Sequence, residues 1–196
     1  EIGIMHPAFS HPQYLLKRQV LALTGKVRIF DPAGQMVLYS EQKMFRLRED
    51  ILVCDDEAKQ RQVLGIHARQ ILDFSAAYDV SDTLSGMPVG ILRRRGWRSM
   101  LRDTWEILDS TEAQIGVLQE ESQGLALMRR FLLGSLLPQR YDLFVGLGGL
   151  AATYRQRFHL FRYEMEIDLK PGCGLDPRLA LAAAVLLAII ERKQES

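Results

Sequence analysis

Cysteine is scarce in this chain, with only Cys54 and Cys173 among 196 residues. Neither lies in a CxxC pair or at metal-ligand spacing from a histidine, so no zinc site is expected. Two reduced thiols in a cytoplasmic protein are the leading expectation, with one disulfide as the other reading. A surplus of one charge is missing too. Lys and Arg number 25 against 24 Asp and Glu, a formal net charge of +1. No global field therefore recruits nucleic acid or an anionic membrane, and any such attraction must come from a local patch. A long apolar run is also absent. The longest, Leu179 to Ile190, is bounded by Arg178 and Glu191. Its twelve residues reach roughly 18 Å at ~1.5 Å per residue, well short of the ~30 Å hydrocarbon core, so no transmembrane span is expected. The opening "EIGIMHPAFSHPQ" has neither a basic start nor an apolar block, and Pro7 and Pro12 interrupt it; no secretory signal is expected. Because Glu1 rather than Met opens the chain, Met5 is expected as the native start. Residues 1–13 are expected to be an N-terminal extension ahead of one domain over 14–196. Neither an internal repeat nor a low-complexity tract is present.

What the chain does contain is alternation. "KVRIFD" sets Val27 and Ile29 on one face, "DPAG" over Asp31–Gly34 is a tight-turn sequence, and "QMVLYS" resumes with Met36 and Leu38. This is a hairpin pattern of strand, Pro/Gly turn and strand. "KMFRLRE", "DILVCDD", "QVLGIHARQ", "ILDFSAAYDV", "PVGILRR", "GWRSMLR", "TWEILD" and "QIGVLQE" continue it, joined by linkers too short for crossover helices. Antiparallel pairing between sequence neighbours follows. "RYEMEIDL" is the clearest case, with Tyr163, Met165, Ile167 and Leu169 expected inward and Arg162, Glu164, Glu166 and Asp168 outward.

Two segments depart from period two. "GLALMRRFLLGSLLP" places Leu125, Met128, Phe131, Leu132 and Leu136 near helical spacing, which predicts a connecting helix over about 124–137. Near the carboxyl end, Asp176 is a good N-cap and Pro177 suits the first helical position, so a helix is predicted over about 177–193. That helix is apolar around its whole circumference and must be buried on every side. One sheet packed against it cannot achieve this, whereas a sheet closed around it can. Ala180, Ala184 and Ala188 form a thin stripe, and Leu181, Val185, Leu186, Leu187, Ile189 and Ile190 fill the broad sides. About twelve strands enclose a lumen too wide to fill with their own side chains. The expected fold is mainly β: a closed antiparallel barrel of about twelve strands around a buried hydrophobic C-terminal helix.

The ordered set "YLLKRQVLALTGKVRIFDPAGQMVLYSEQKMFRLREDILVCDD", "ARQILDFSAAYDV", "ILRRRGWRSMLRDTWEILD" and "LAAAVLLAIIE" resembles the LURP-one-related proteins, grouped with the phospholipid scramblases and the Tubby C-terminal domain. The resemblance covers Tyr14 to Lys193 and implies a closed twelve-stranded barrel around a central helix. It also implies lipid contact, since Tubby domains bind phosphoinositide headgroups and scramblases are membrane-associated. The scramblase proline-rich segment, acylated cysteine cluster and acidic calcium loop have no counterpart here. The matching loop "DLKPGCGLDP" offers only Asp168 and Asp176, too few oxygens for calcium, and scramblase activity is not expected.

The most pointed chemical feature is "RRRGWRSMLRD", where Arg93, Arg94, Arg95, Arg98 and Arg102 surround Trp97. Arginine forks suit phosphate oxygens, and the indole suits a membrane interface. These six residues are the candidate site for an anionic headgroup. The competing reading makes the arginines outward wall positions paired with Asp103 and Glu106. A second basic set, Lys17, Arg18, Lys26 and Arg28, would either join that patch or form solvated wall. "VGLGGLAATY" spaces Gly146, Gly148 and Ala151 like a dinucleotide fingerprint, but without β-α-β units a glycine turn is the expectation. His67, Asp73 and Ser75 lack a nucleophile elbow, and His67 is expected as a packed strand residue. Trp105 reads as core.

The function expected is a non-catalytic binding or scaffolding module that recognises an anionic phospholipid or another phosphate-bearing ligand. It needs no cofactor or metal, and is cytoplasmic and peripheral at the membrane. A protein-interaction module and a nucleic-acid-binding regulator are the alternatives.

Overall fold

The computed structural model describes residues 5–19, 24–43, 50–69, 76–95, 104–121, 139–157 and 162–194. A short 3-10 turn at Pro7–Phe9 precedes twelve strands: β1 Gln13–Gln19, β2 Thr24–Phe30, β3 Met36–Lys43, β4 Ile51–Cys54, β5 Gln62–Ala68, β6 Ala77–Asp82, β7 Pro88–Arg94, β8 Thr104–Leu108, β9 Gln114–Glu120, β10 Arg140–Val145, β11 Gly149–Arg157 and β12 Arg162–Leu169. Helix α1, Pro177–Gln194, ends the fold. Each strand pairs antiparallel with its sequence neighbours, and β1 pairs with β12 from Gln13↔Asp168 to Gln19↔Arg162. The sheet is therefore a closed barrel with no unpaired edge.

The predicted alternation holds along most strands. Val27, Ile29, Leu38, Met165 and Ile167 are buried, and Trp105 and Ile107 are 2% and 0% exposed. "DPAG" makes the expected turn, with Gly34 N–H donating to Asp31 O at 3.0 Å and Gly34 at φ 78°. Gly146 and Gly148, at φ 57° and 94°, form the β10–β11 turn, so the fingerprint-like spacing is a hairpin.

The helix lies inside. Every residue from Leu179 to Ile189 is buried, none above 9% exposed. Burial on every side of an α-helix requires the wall to surround it, and each fully buried Leu there contributes about 1.5–3 kcal/mol. Tyr154 on β11 donates its hydroxyl proton to Ala180 O at 3.0 Å, tying wall to helix. The helix start is fixed by charge. Asp176 Oδ1 accepts from Arg178 N at 2.9 Å, as an N-cap should. Arg178 Nη1 then reaches Asp82 Oδ2 on β6 at 2.6 Å.

The barrel has two unlike ends. At the proximal end, where β1 begins and the helix starts, all turns belong to the described residues. The segment before β1 is part of this end and of the core: Ala8 and Phe9 join the hydrophobic cluster. Tyr14 holds them, its hydroxyl donating to Ala8 O at 3.0 Å and accepting from His11 N at 3.0 Å. The connections at the distal end, 20–23, 44–49, 70–75, 96–103, 122–138 and 158–161, lie outside the described residues. The expected connecting helix over 124–137 falls there. So do the expected strand pieces around residues 44–49, 70–75 and 97–102.

Two expectations about facing are corrected. Arg18 is not solvated wall. It stands in the inward row after Tyr14 and Leu16 and is 2% exposed. His67 is not packed: its side chain is 65% exposed and its Nδ1 contacts the carboxylate of Asp50. In both cases the two-residue period was legible, but register decided which row met the lumen. Glu164 faces outward as expected but is only 6% exposed. The cysteines are free, Cys54 buried and Cys173 half-buried.

Candidate functional site at the distal end

Of the six residues singled out in "RRRGWRSMLRD", Arg93, Arg94 and Arg95 belong to the described residues, while Trp97, Arg98 and Arg102 lie outside them. The three described arginines do not share a face. Arg93 and Glu106 are cross-strand partners on β7 and β8. Arg93 Nε donates to Glu106 Oε2 at 2.7 Å, and Arg95 Nε donates to Glu106 Oε1 at 2.7 Å. Two guanidinium groups thus clasp one carboxylate on the outer wall and leave one excess positive charge. Burial alone would raise the Glu106 carboxyl, but hydrogen bonds from Arg95 and Arg93 outweigh it and hold the group below its ordinary range. The arginine side chains are 42% and 57% exposed, so each fork keeps donors turned to solvent. The competing expectation was correct about Glu106 as the partner; Asp103 lies outside the described residues.

Arg94 faces the other way. It follows Leu92 in the inward row and pairs in register with Trp105, its guanidinium carbon 5.9 Å from the indole centroid. Tyr78 on β6 completes this group, its ring centroid 6.0 Å from that of Trp105. Among the described residues, the buried Trp105 Nε1–H has no hydrogen-bond partner, a condition that costs about 1–3 kcal/mol. Burial raises the Tyr78 hydroxyl above its ordinary pKa, and the Arg94 charge pulls it partly back.

This inner cluster belongs to a polar layer found at one end of the lumen. Arg18 on β1, over the Tyr163 ring at 5.1 Å, stands across the barrel from Arg94. Tyr141 donates to Gln139 Oε1 at 2.9 Å on the wall between them. Inward residues toward the proximal end, such as Leu16, Ile29, Leu64, Val80 and Leu143, are apolar. The helix explains the gradient. Its 18 residues span roughly 27 Å, whereas seven-residue strands of ~23 Å tilted by ~40° give a barrel only ~18 Å tall. The carboxyl end of α1 therefore reaches the distal mouth, where unsatisfied carbonyls carry partial negative charge. Glu120 on β9, 6% exposed and in the inward row after Leu118, adds a carboxylate to the same layer.

The outer wall at the same end carries a basic group that no single sequence window contains. Arg140, Arg155, Arg157 and Arg162 are all exposed, on β10, β11 and β12. Arg140 stands opposite Arg155 in register. Arg140 lies 3.7 Å from Glu121, and Arg157 contacts Glu166. Among the described residues, neither Arg155 nor Arg162 has a carboxylate within ion-pair distance. The proximal turns are weighted oppositely, with Asp31, Asp55, Asp56, Glu57 and Asp109 against Lys59, Arg61 and Lys170. Among the described residues, exposed arginines therefore gather at the distal end, beside Glu121 and Glu166, while the proximal turns carry more acids than bases. The other basic candidates divide: Lys17 lies over Phe30 at 5.1 Å and Arg28 pairs with Glu57 at 2.6 Å.

Metal chemistry has little to use in the loop before the helix. Asp168 accepts from Gln13 Nε2 at 2.8 Å, and Asp176 is engaged by Arg178. A family model described as LURP-one-related matches residues 13–188, from the first residue of β1 to Ala188 in the enclosed helix. The chain belongs to the LURP-one-related family. The LURP-one-related match takes in all twelve strands and the enclosed helix as far as Ala188. A search of curated proteins finds no match to this LURP-one-related chain.

Proposed function

We propose that this protein is a non-catalytic binding module whose distal end recognises a phosphate-bearing anionic partner, most concretely an anionic phospholipid surface at which it sits peripherally. The single observation that carries this reading is the Arg93–Glu106–Arg95 clasp, in which one carboxylate orients two half-exposed guanidinium groups. A guanidinium held by one carboxylate keeps its remaining N–H groups in a fixed plane, which lowers the entropy cost of meeting phosphate oxygens. Arg140, Arg155, Arg157 and Arg162 at the same end extend the positive field, while the acidic proximal turns are directed away from it. That polarity supports end-on docking to a flat anionic surface.

Flotation of the full chain with phosphatidylcholine vesicles, with and without a phosphatidylinositol phosphate, tests the reading. Binding is expected only to the anionic vesicles and should weaken as salt rises. Replacing Arg93 and Arg95 with Ala changes the clasp from one positive to one negative charge. At about 1 kcal/mol per charge near the surface, affinity should fall roughly 30-fold. Flotation that is indifferent to lipid charge, salt and this double substitution would refute the proposal.

A further inference from the structure

One cross-strand row on the outer wall changes character as it passes from strand to strand. Arg93 on β7 pairs with Glu106 on β8, Glu106 with Val117 on β9, Val117 with Phe144 on β10, and Phe144 with Leu150 on β11. Cross-strand partners share a face, so the row starts at the clasp and continues as three apolar side chains turned away from the lumen. Leu118 and Leu143, the sequence neighbours of Val117 and Phe144, take the inward places in the core. Val117 and Phe144 are half-buried and Leu150 is exposed. Beyond Leu150, the β10–β11 turn holds Leu147 wholly in solvent, between Gly146 and Gly148 at positive φ. Four strand spacings of ~4.8 Å make the row roughly 19 Å long, and strand tilt carries it obliquely from the clasp toward that turn. Asp142, two residues before Phe144 on the same strand, is faced by Arg155 and Arg140 as well as by Glu121.

We propose that Val117, Phe144 and Leu150, with Leu147 at the tip, are the part of this protein that enters a phospholipid surface, while the clasp beside them meets the phosphates. This deepens the membrane reading above and rests on it for the role of the clasp. A phospholipid interface sets a charged layer directly against an apolar one, and the row presents cations and apolar groups side by side. Singly exposed apolar residues are ordinary on any surface; these are set apart by their continuity, in register, with a pair of guanidinium groups. Shape favours lipid over a rigid partner or a second copy. A barrel wall is convex and Leu147 projects from its turn, so a protein surface would need a concavity fitted to both. Fluid acyl chains close around them without one. The barrel therefore leans from its distal end onto the flank formed by β9, β10 and β11.

The test reads the depth of the tip. Leu147→Trp places an indole there, measured against the parent chain with its own two tryptophans. The full chain is mixed with vesicles of phosphatidylcholine and a phosphatidylinositol phosphate, carrying plain or brominated acyl chains. On binding, the added emission should move to the blue and be quenched by the brominated chains. Leu147→Ser combined with Leu150→Ser, both at exposed positions, should weaken vesicle binding roughly tenfold. Tm and the salt dependence should stay as in the parent, since no charge is altered. If the chain floats while the indole at position 147 stays unquenched, or if the double variant binds like the parent, lipid entry by this row is overturned and the clasp reading stands. Quenching on phosphatidylcholine alone supports the row and counts against the anionic reading, whereas no binding to any vesicle removes both. A dimer in sedimentation velocity that the double substitution splits, without quenching, assigns the row to a second copy and overturns the proposal.

Discussion

Gly90 offers a test in which two physical arguments predict opposite signs. Glycine in a strand interior is ordinarily about 0.5–1 kcal/mol less stable than alanine, because the unfolded chain has more freedom to lose. On that ground alone Gly90→Ala should stabilise β7. The enclosed helix reverses the expectation. A Cβ at residue 90 would press into the carbonyl oxygen of Leu108 on β8 and come within 3.0 and 3.1 Å of the two methyl carbons of Leu179. Leu108 is held in the ladder and Leu179 lies in the first turn of a helix walled in on all sides, so neither has space to retreat. Overpacking of this kind costs about 1–3 kcal/mol. After the propensity gain is subtracted, a net loss of about 1–2 kcal/mol remains, a fall in Tm of roughly 2–8 °C for a chain of this size. Thermal unfolding followed by near-ultraviolet circular dichroism would measure it. Combining Gly90→Ala with Leu179→Ala should cost less than the sum of the two single changes, since removing the Leu179 methyls leaves only the backbone clash. A Tm for Gly90→Ala equal to or above that of the parent would refute a helix pressed against this wall.

Further expectations concern the helix ties. Asp82 has its carboxyl held below the ordinary range: burial acts to raise it, but hydrogen bonds from Ser85 N, Arg178 and Leu84 N prevail. A depressed folded-state value means stability that is present above about pH 4, the unfolded range, and is lost as pH falls through the folded value. Asp82→Asn should cost about 1–2 kcal/mol at neutral pH and flatten the acid limb, both read from urea midpoints between pH 7 and pH 3; an unchanged pH profile would contradict the assignment. Tyr154→Phe removes the buried hydroxyl that donates to Ala180 O, while Ala180 O keeps its intrahelical role. A loss of about 1 kcal/mol is expected, and a midpoint shift indistinguishable from zero would argue that the hydroxyl does not tie wall to helix.

Much of the architecture was legible because it rests on local rules. Alternation in "KVRIFD" and "RYEMEIDL", the turn at Asp31–Gly34 and the short linkers imply neighbouring antiparallel strands whatever their distant partners. The run from Leu179 to Ile190 demands burial on all sides, and only a closed sheet supplies that. Facing was harder to read. "GILRRR" offers apolar residues at both Ile91 and Leu92, so alternation alone does not say which arginine turns inward. Register with Glu106 and Trp105 settles it, sending Arg93 outward and Arg94 inward. Bulges such as those between Ile107 and Leu108 and between Leu143 and Phe144 shift the phase again.

The candidate site was only partly legible for a related reason. The clasp joins residues thirteen positions apart or fewer and could be suspected from one window. By contrast, Arg140, Arg155, Arg157 and Arg162 meet only because β10, β11 and β12 are neighbours, and Arg18 stands opposite Arg94 only because the sheet closes. Phe9 likewise joins the core although nothing in "HPAFSHPQ" distinguishes a plug from a tail. By itself, the sequence determined the strands, their hairpin connectivity and the need for an enclosed helix, since these follow from turn chemistry and hydrophobic period over a few residues. Which charges face the lumen, which share a carboxylate and which gather at one end were decided by barrel closure, because register and curvature are properties of the whole sheet.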